Sequence, residues 1–363
     1  MFYPGYTEVK TITSAAFTMG ALQTFSLRIP QQKRRLAAML VELIYTETVV
    51  GTITLDGNWN LIPEIRFKVN DKLGARNAVQ ASAAQLILWA YDQTGNIPRQ
   101  SLQSRACITA STQKLSVPIF FRHPAVGEPV GNLLALPLNE LNDDPILEID
   151  VVGGASATGV GASAQPTAGL GLRVTLCYVD TEANLGYIPT ELLNNTWTVS
   201  GSGPSSFDLA NSGFVSSISL DTYTTYPTTR AAMFTANDHA YQVKIGSINR
   251  KEFFPESLQA INDFQVGVGN MEAAGVGLVS LIYSSGGVLL GPLATHYALD
   301  FLFDESNAGA FSPASLLNAN TVQLGGDKIR LIGTNFSAGG TVRVLTHKFA
   351  TPNANDLKAL IGA

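Results

Sequence analysis

The chain has 363 residues, enough for two domains of ordinary size. Only 14 % of them are charged, against about a quarter in typical soluble proteins, so much of the surface is expected to be buried against itself or against neighbours. The net charge of -5, from 28 acidic and 23 basic residues, argues against a protein that packages nucleic acid through a basic face.

The first ten residues, MFYPGYTEVK, lack the charged start and apolar core of a signal peptide. The longest apolar run, LAAMLVELIY, is interrupted by Glu42 and falls short of the ~18 residues of a membrane span. A soluble protein made in the cytoplasm is expected. Strands of the first half are predicted near 23–30, 36–56, 60–70, 105–121, 130–137, 145–152 and 171–179, as short alternating runs bounded by Gly, Pro, Asn, Asp and Ser. The segment 36–45 would also suit a helix, but its β-branched continuation YTETVVGTITL favours a strand. Ahead of it, Lys33, Arg34 and Arg35 form the one basic cluster, read as a solvated turn or as a contact for phosphate or lipid headgroups. In IRFKVND (65–71), Ile65, Phe67 and Val69 share one face and Arg66 and Lys68 the other, the pattern of a half-buried antiparallel strand. A helix follows in ASAAQLILWAYDQTG (81–95), with Leu86, Trp89 and Ala90 on one side and Gly95 past its end. The small-residue stretch 153–171 is predicted to be a long surface loop.

The second half repeats this order. YQVKIGS (241–247) matches IRFKVND 176 residues later, with Lys244 in the place of Lys68. A second helix is predicted over 254–267, opened by Pro255 and Glu256, with Leu258, Ile261 and Phe264 on one face. The Asn-punctuated turns 136–143 and 314–321 correspond, and 200–213 is read as an early loop. LRVTLC (172–177) and VRVLTH (342–347) close the two halves 170 residues apart, with Arg173 and Arg343 in the same position. Strand, helix, turn and strand in the same order at nearly constant offset predict a duplicated domain, not a solenoid of short repeats. The boundaries are placed at 1–185 and 186–363. Each half is expected to be an eight-stranded antiparallel jelly roll with one short helix, because long connections with few tight hairpins do not suit a meander barrel. The chain as a whole is then an all-β double jelly roll.

Residues that carry chemistry are sparse. His123, His239, His296 and His347 lie far apart in sequence, and each is expected to be a partly exposed strand or loop residue. Cys107 and Cys177 are expected to be free thiols. The glycine-rich stretches 267–277 and 284–291 lack phosphate-loop spacing, and there is no G-x-S-x-G elbow. The acidic pairs Asp143-Asp144 and Asp304-Glu305 are read as turns. No catalytic residue, metal or cofactor is predicted.

Three stretches carry a resemblance: GTITLDGNWNLIPEIRFKVND (51–71) with the following ASAAQLILWAYD, then LPLNELNDDPILEIDV (136–151), and finally HYALDFLFDESNAGAFSPASLLNAN with GGTVRVLTHKFATPN. In these the chain resembles the double jelly-roll major capsid proteins of icosahedral, tailless, typically internal-membrane-containing bacteriophages. The resemblance implies a non-enzymatic structural protein of the virion, assembled in the host cytoplasm. It implies a homotrimer forming a pseudo-hexagonal capsomer, with neighbouring capsomers, minor capsid and vertex proteins and an internal lipid membrane as partners. No sequence-specific binding of nucleic acid is implied. Phe2, Tyr3, Tyr6, Lys33, Arg34 and Arg35 become candidates for contact with a membrane or a neighbouring capsomer; the other reading is a frayed terminus beside an exposed turn. The rival class is a carbohydrate-binding or hydrolytic β-sandwich, which calls for exposed aromatics and paired carboxylates along a groove. Trp59, Trp89 and Trp197 are scattered along the chain.

Overall fold

In the computed structural model the chain divides into two units, Met1–Tyr187 and Ile188–Ala363. The structure describes residues 5–47, 56–101, 111–123, 130–154, 166–180, 187–209, 214–230, 241–245, 248–254, 257–258, 295–301, 317–318, 328–336 and 338–349.

The first unit contains β1 (Tyr6–Thr13), β2 (Gln23–Arg28), β3 (Arg35–Glu47), β4 (Glu64–Asp71), β5 (Gly74–Ala81), β6 (Ser111–Phe120), β7 (Ile146–Val151) and β8 (Ala168–Val179). They pair antiparallel in the orders β1-β8-β3-β6 and β2-β7-β4-β5. The second unit contains β9 (Thr190–Val199), β10 (Gly203–Asp208), β11 (Phe214–Thr225), β12 (Tyr241–Ile245), β13 (Ile248–Phe253), β14 (His296–Asp300), β15 (Ile329–Phe336) and β16 (Gly340–Phe349). Its orders are β9-β16-β11-β14 and β10-β15-β12-β13. Adding eight to every strand number converts the first unit's pairing into the second's. Among the described residues each unit holds eight strands longer than two residues, paired in two sheets as in a jelly roll.

Side-chain alternation explains the closing strands. Val174 faces Val41 across β8 and β3, Leu172 faces Leu43, and Leu176 faces Met39, all buried. In the second roll Val344 faces Leu220 and Val342 faces Thr222, again buried. The intervening Arg173 and Arg343 turn to the other face, as strand geometry requires. In β4, Ile65, Phe67 and Val69 are buried while Arg66 ties Glu64, Glu148 and Asp150 together outside.

Helix α1 (Ala83–Thr94) starts at a capping box between Ser82 and Gln85 and stops at Gly95, whose φ of 70° is the left-handed conformation that glycine tolerates. It differs from the one-sided helix predicted, because every residue from Ala83 to Tyr91 is buried. One side lies against β6, where Trp89 sits 6.3 Å from Phe120.

Several elements depart from the sequence reading. The predicted strand at 130–137 is a short helix, α2 (Val130–Leu134), followed by the two-residue strand Leu136–Pro137. Apart from Val130 its residues are not β-branched, and leucine favours a helix. Residues 6–13 and 74–81, for which no strand is predicted, form β1 and β5. The predicted loop 200–213 contains β10, where Phe207 turns toward the core and pairs opposite Leu331. Strand β8 begins at Ala168, earlier than expected. Most of the predicted second helix lies outside the described residues. Ser257 and Leu258 are helical, and Leu258 N–H donates to the Phe254 carbonyl at 2.9 Å.

Truncating Val174 or Val344 to alanine is expected to cost about 1–3 kcal/mol through lost burial and the cavity left behind. Arg173→Ala, at a partly exposed ion pair, is expected to cost less than about 1 kcal/mol. Urea unfolding of the three variants checks the difference.

Candidate functional site

Of the residues singled out for contact, Phe2 and Tyr3 lie outside the described residues. Tyr6 opens β1 and is 41 % exposed. Its ring stacks on Tyr178 with centroids 5.9 Å apart, and the Arg34 guanidinium lies 4.1 Å from the ring centre. Arg34 Nε also donates to Asp180 at 3.1 Å. The structure therefore brings Tyr6 and Arg34 together where β1 starts and β8 ends. Lys33 is exposed beside them. Arg35 is separated from this group: it begins β3 and is buried, donating to the Asn132 carbonyl at 3.3 Å and lying 3.5 Å from Glu140. Burial lowers its pKa against the opposing pull of Glu140. The three-residue basic run is thus not one surface patch.

A second feature recurs in both rolls. Across β1, β8, β3 and β6 the outward row reads Thr11, Arg173, Glu42, Ser116. Across β9, β16, β11 and β14 it reads Thr196, Arg343, Asp221, His296. Threonine, arginine and acid occupy equivalent places on three adjacent strands. In the first roll the row is closed on itself, Arg173 Nε meeting Glu42 at 2.6 Å with Lys114 at 3.8 Å. In the second roll Asp221 is fully buried and is shared by Arg230 Nη1 at 2.8 Å and His296 Nδ1 at 3.0 Å. Arg343 instead donates to Thr196 at 2.8 Å and lies over the Tyr226 ring at 4.6 Å. Burial alone would raise the Asp221 pKa; Arg230 and His296 outweigh it and hold it at about 2. The two partner strands and the turn at Tyr226–Arg230 supply these groups, so removing one would strand a buried charge.

The histidines correct the expectation of partial exposure. His123, His296 and His347 are all buried, and His239 lies outside the described residues. His123 meets the Trp89 ring edge-on at 5.8 Å, and His347 Nδ1 is bonded to the Ser216 hydroxyl. A neutral imidazole fits between packed strands, and burial pushes His347 down to about 3. Ser216 is likewise sealed from solvent, so this pair presents nothing to a substrate. Among the described residues no three His, Cys, Asp or Glu side chains are grouped to hold a metal ion. Cys177 is a free, half-buried thiol whose pKa burial raises; Cys107 lies outside the described residues. Asp143 accepts from Asn70 and Asp144 accepts from the Gln31 amide, as turn-stabilising acids do. Trp59, Trp89 and Trp197 are all buried, so none of the three offers a carbohydrate an exposed platform. No helix among the described residues is long and apolar enough to cross a membrane.

No protein-family model and no curated protein matches the sequence. Solved structures match it over nearly its whole length. The major capsid protein of STIV, the Sulfolobus turreted icosahedral virus, aligns with 98 % of this chain and 100 % of its own at 14 % identity and a TM-score of 0.62. The major capsid protein P2 of bacteriophage PM2 aligns with 96 % of this chain and 99 % of its own at 10 % identity and 0.55. The Faustovirus major capsid protein aligns over 96 % and 90 % at 8 % identity and 0.54. The chain has the double jelly-roll fold of these proteins.

The depressed pKa of His347 gives a signed pH dependence. Below about pH 6.5 the unfolded chain protonates this residue and the folded chain does not, so stability falls as pH falls. Between about pH 7 and about pH 5 this amounts to about 2 kcal/mol. Asp221 adds its own loss only below about pH 3.8, and Glu47, whose pKa burial raises, works in the opposite direction. Urea unfolding at the two pH values is expected to show a larger acid loss for wild type than for His347→Gln.

Proposed function

We propose that this chain is a viral major capsid protein. The observation that carries the reading is one chain holding the same eight-strand roll twice, matched end to end by major capsid proteins of icosahedral viruses. Three copies bring six rolls around one axis, which makes a pseudo-hexagonal block able to tile an icosahedral shell. The scarcity of charge supports burial of the subunit's sides against other copies. Domain limits at 1–185 and 186–363 then mark the two rolls.

The chain acts by binding itself, and it is not an enzyme. Its further partners are neighbouring capsomers, minor capsid and vertex proteins and an internal membrane, and its place is the virion after assembly in the host cytoplasm. The Tyr6–Arg34 pair and Lys33 are the side chains at the start of β1 that would meet a headgroup or a neighbouring capsomer, since aromatic and basic groups suit that zone. Arg35 has a structural role there.

The purified chain is expected to run as a homotrimer in multi-angle light scattering at micromolar concentration. A strict monomer throughout that range contradicts the proposal. Elemental analysis is expected to find no stoichiometric metal, and zinc, iron or manganese at one per chain would favour a metalloenzyme instead.

A further inference from the structure

The outward faces of the two equivalent sheets differ in cover. In the second roll every residue of β11 from Phe214 to Tyr223 is buried, and the arginine–acid row is sealed in part by the chain's own Tyr226 and Arg230. In the first roll the same face is covered on the β6 side, where α1 lies over Phe120 and Ser116 is fully buried. On the β1 side nothing among the described residues covers it. Thr7, Val9 and Thr11 are exposed there, Val9 at 58 %, and Thr175, Leu40 and Arg173 are half-buried beside them. The register sets Val9 against Thr175 and Thr175 against Leu40, so these form one continuous strip and not scattered positions.

The edge of β1 is built differently from its face. Among the described residues β1 pairs with β8 alone, and its pairing is interrupted by a bulge between Thr11 and Thr13. Glu8 and Lys10 point toward the side of Leu176 and Val174 and are bonded to each other. A bulge and inward-pointing charges discourage a foreign strand from adding to an edge. Among the described residues nothing comparable protects the threonine-rich face, and Val9 lies exposed in its middle.

We infer that this strip, Thr7, Val9, Thr11, Leu40, Arg173 and Thr175, is a contact surface for a second copy of this chain. The inference rests on the reading of the protein as a self-assembling shell subunit and names one of the surfaces it uses. Two observations favour a second copy as the occupant. The equivalent row in the second roll shows that side chains of this same protein, a tyrosine ring over the arginine and a guanidinium on the acid, complete such a face. The charge also fits: Arg173 and Lys114 share the single acid Glu42, leaving the row positive, whereas the chain as a whole carries -5. A docking copy that sets an acidic group against this row would gain from the charge, and the exposed valine would lose its water.

The test uses the full chain. Sedimentation velocity is run over a concentration series for wild type, Val9→Arg and Val9→Thr, with thermal unfolding of each at high dilution as the control for folding. Val9→Arg is expected to raise the concentration at which the assembly dissociates by at least about tenfold, and Val9→Thr by no more than about twofold. A folded Val9→Arg chain that assembles like wild type overturns the strip while leaving the shell reading intact. A wild type that stays monomeric at every concentration overturns both. If Val9→Arg does not fold, Val9→Cys is reacted with a maleimide and followed at residue 9 by peptide mass. The rate is expected to fall at least about tenfold on assembly, and equal rates in dilute and assembled protein overturn the inference.

Discussion

The pairing on which both rolls depend is the insertion of the last strand between the first and the third. β8 enters between β1 and β3, setting Tyr6 opposite Tyr178, and β16 enters between β9 and β11, setting Thr190 opposite Phe349. No local hairpin can fix such a register, because the partners are separated by most of a domain. The side chains must fix it. A slip of one residue would carry Arg173 into the layer of Val41 and Leu43 and expel Val174, so the alternation of valine and arginine specifies the fold as well as stabilising it. The rest follows from that closure: two sheets per roll, one row of threonine, arginine and acid on the outward face of each, and the start of β1 beside the end of β8.

Legibility in the sequence tracks the clarity of the period-two alternation. Strands β4, β8, β12 and β16 lie between two neighbours with one face in the core, and their period-two alternation announces them. The inward sets of β1, β5 and β10 are diluted by glutamate, lysine, glycine and serine, and none of the three carries a strand prediction; the interior strands β11 and β15 carry none either. Helix α1 was legible in its limits, since Ser82 and Gly95 punctuate it, but its complete burial was not, because alanine, leucine and tryptophan on all sides give no clue to what covers them. The outward row was half legible. Arg173 and Arg343 stand out by their equivalent places, which point to a partner acid on the third strand of each half. Glu42 stands out only as an interruption of an apolar run, and Asp221 carries no such signal. The burial of three histidines had no sequence signal, since isolated histidines in strands look the same whether sealed or wet.

Charge is used in different ways on the two faces of the first roll. On the second sheet Arg66 gathers Glu64, Glu148 and Asp150, and Lys68 adds to Glu148, so that face is polar and internally balanced. On the outward face of the first sheet Arg173 and Lys114 share Glu42 beside threonine, valine and leucine.

The central claim is that two equivalent rolls in one chain exist to make a six-cornered unit from three copies. Electron microscopy of the purified, full-length protein tests it most directly. The account predicts discrete particles with three-fold symmetry and six nearly equivalent corners, into which three copies of the chain fit. Particles that hold a single chain, or a closed dimer with four rolls and no three-fold axis, would contradict it.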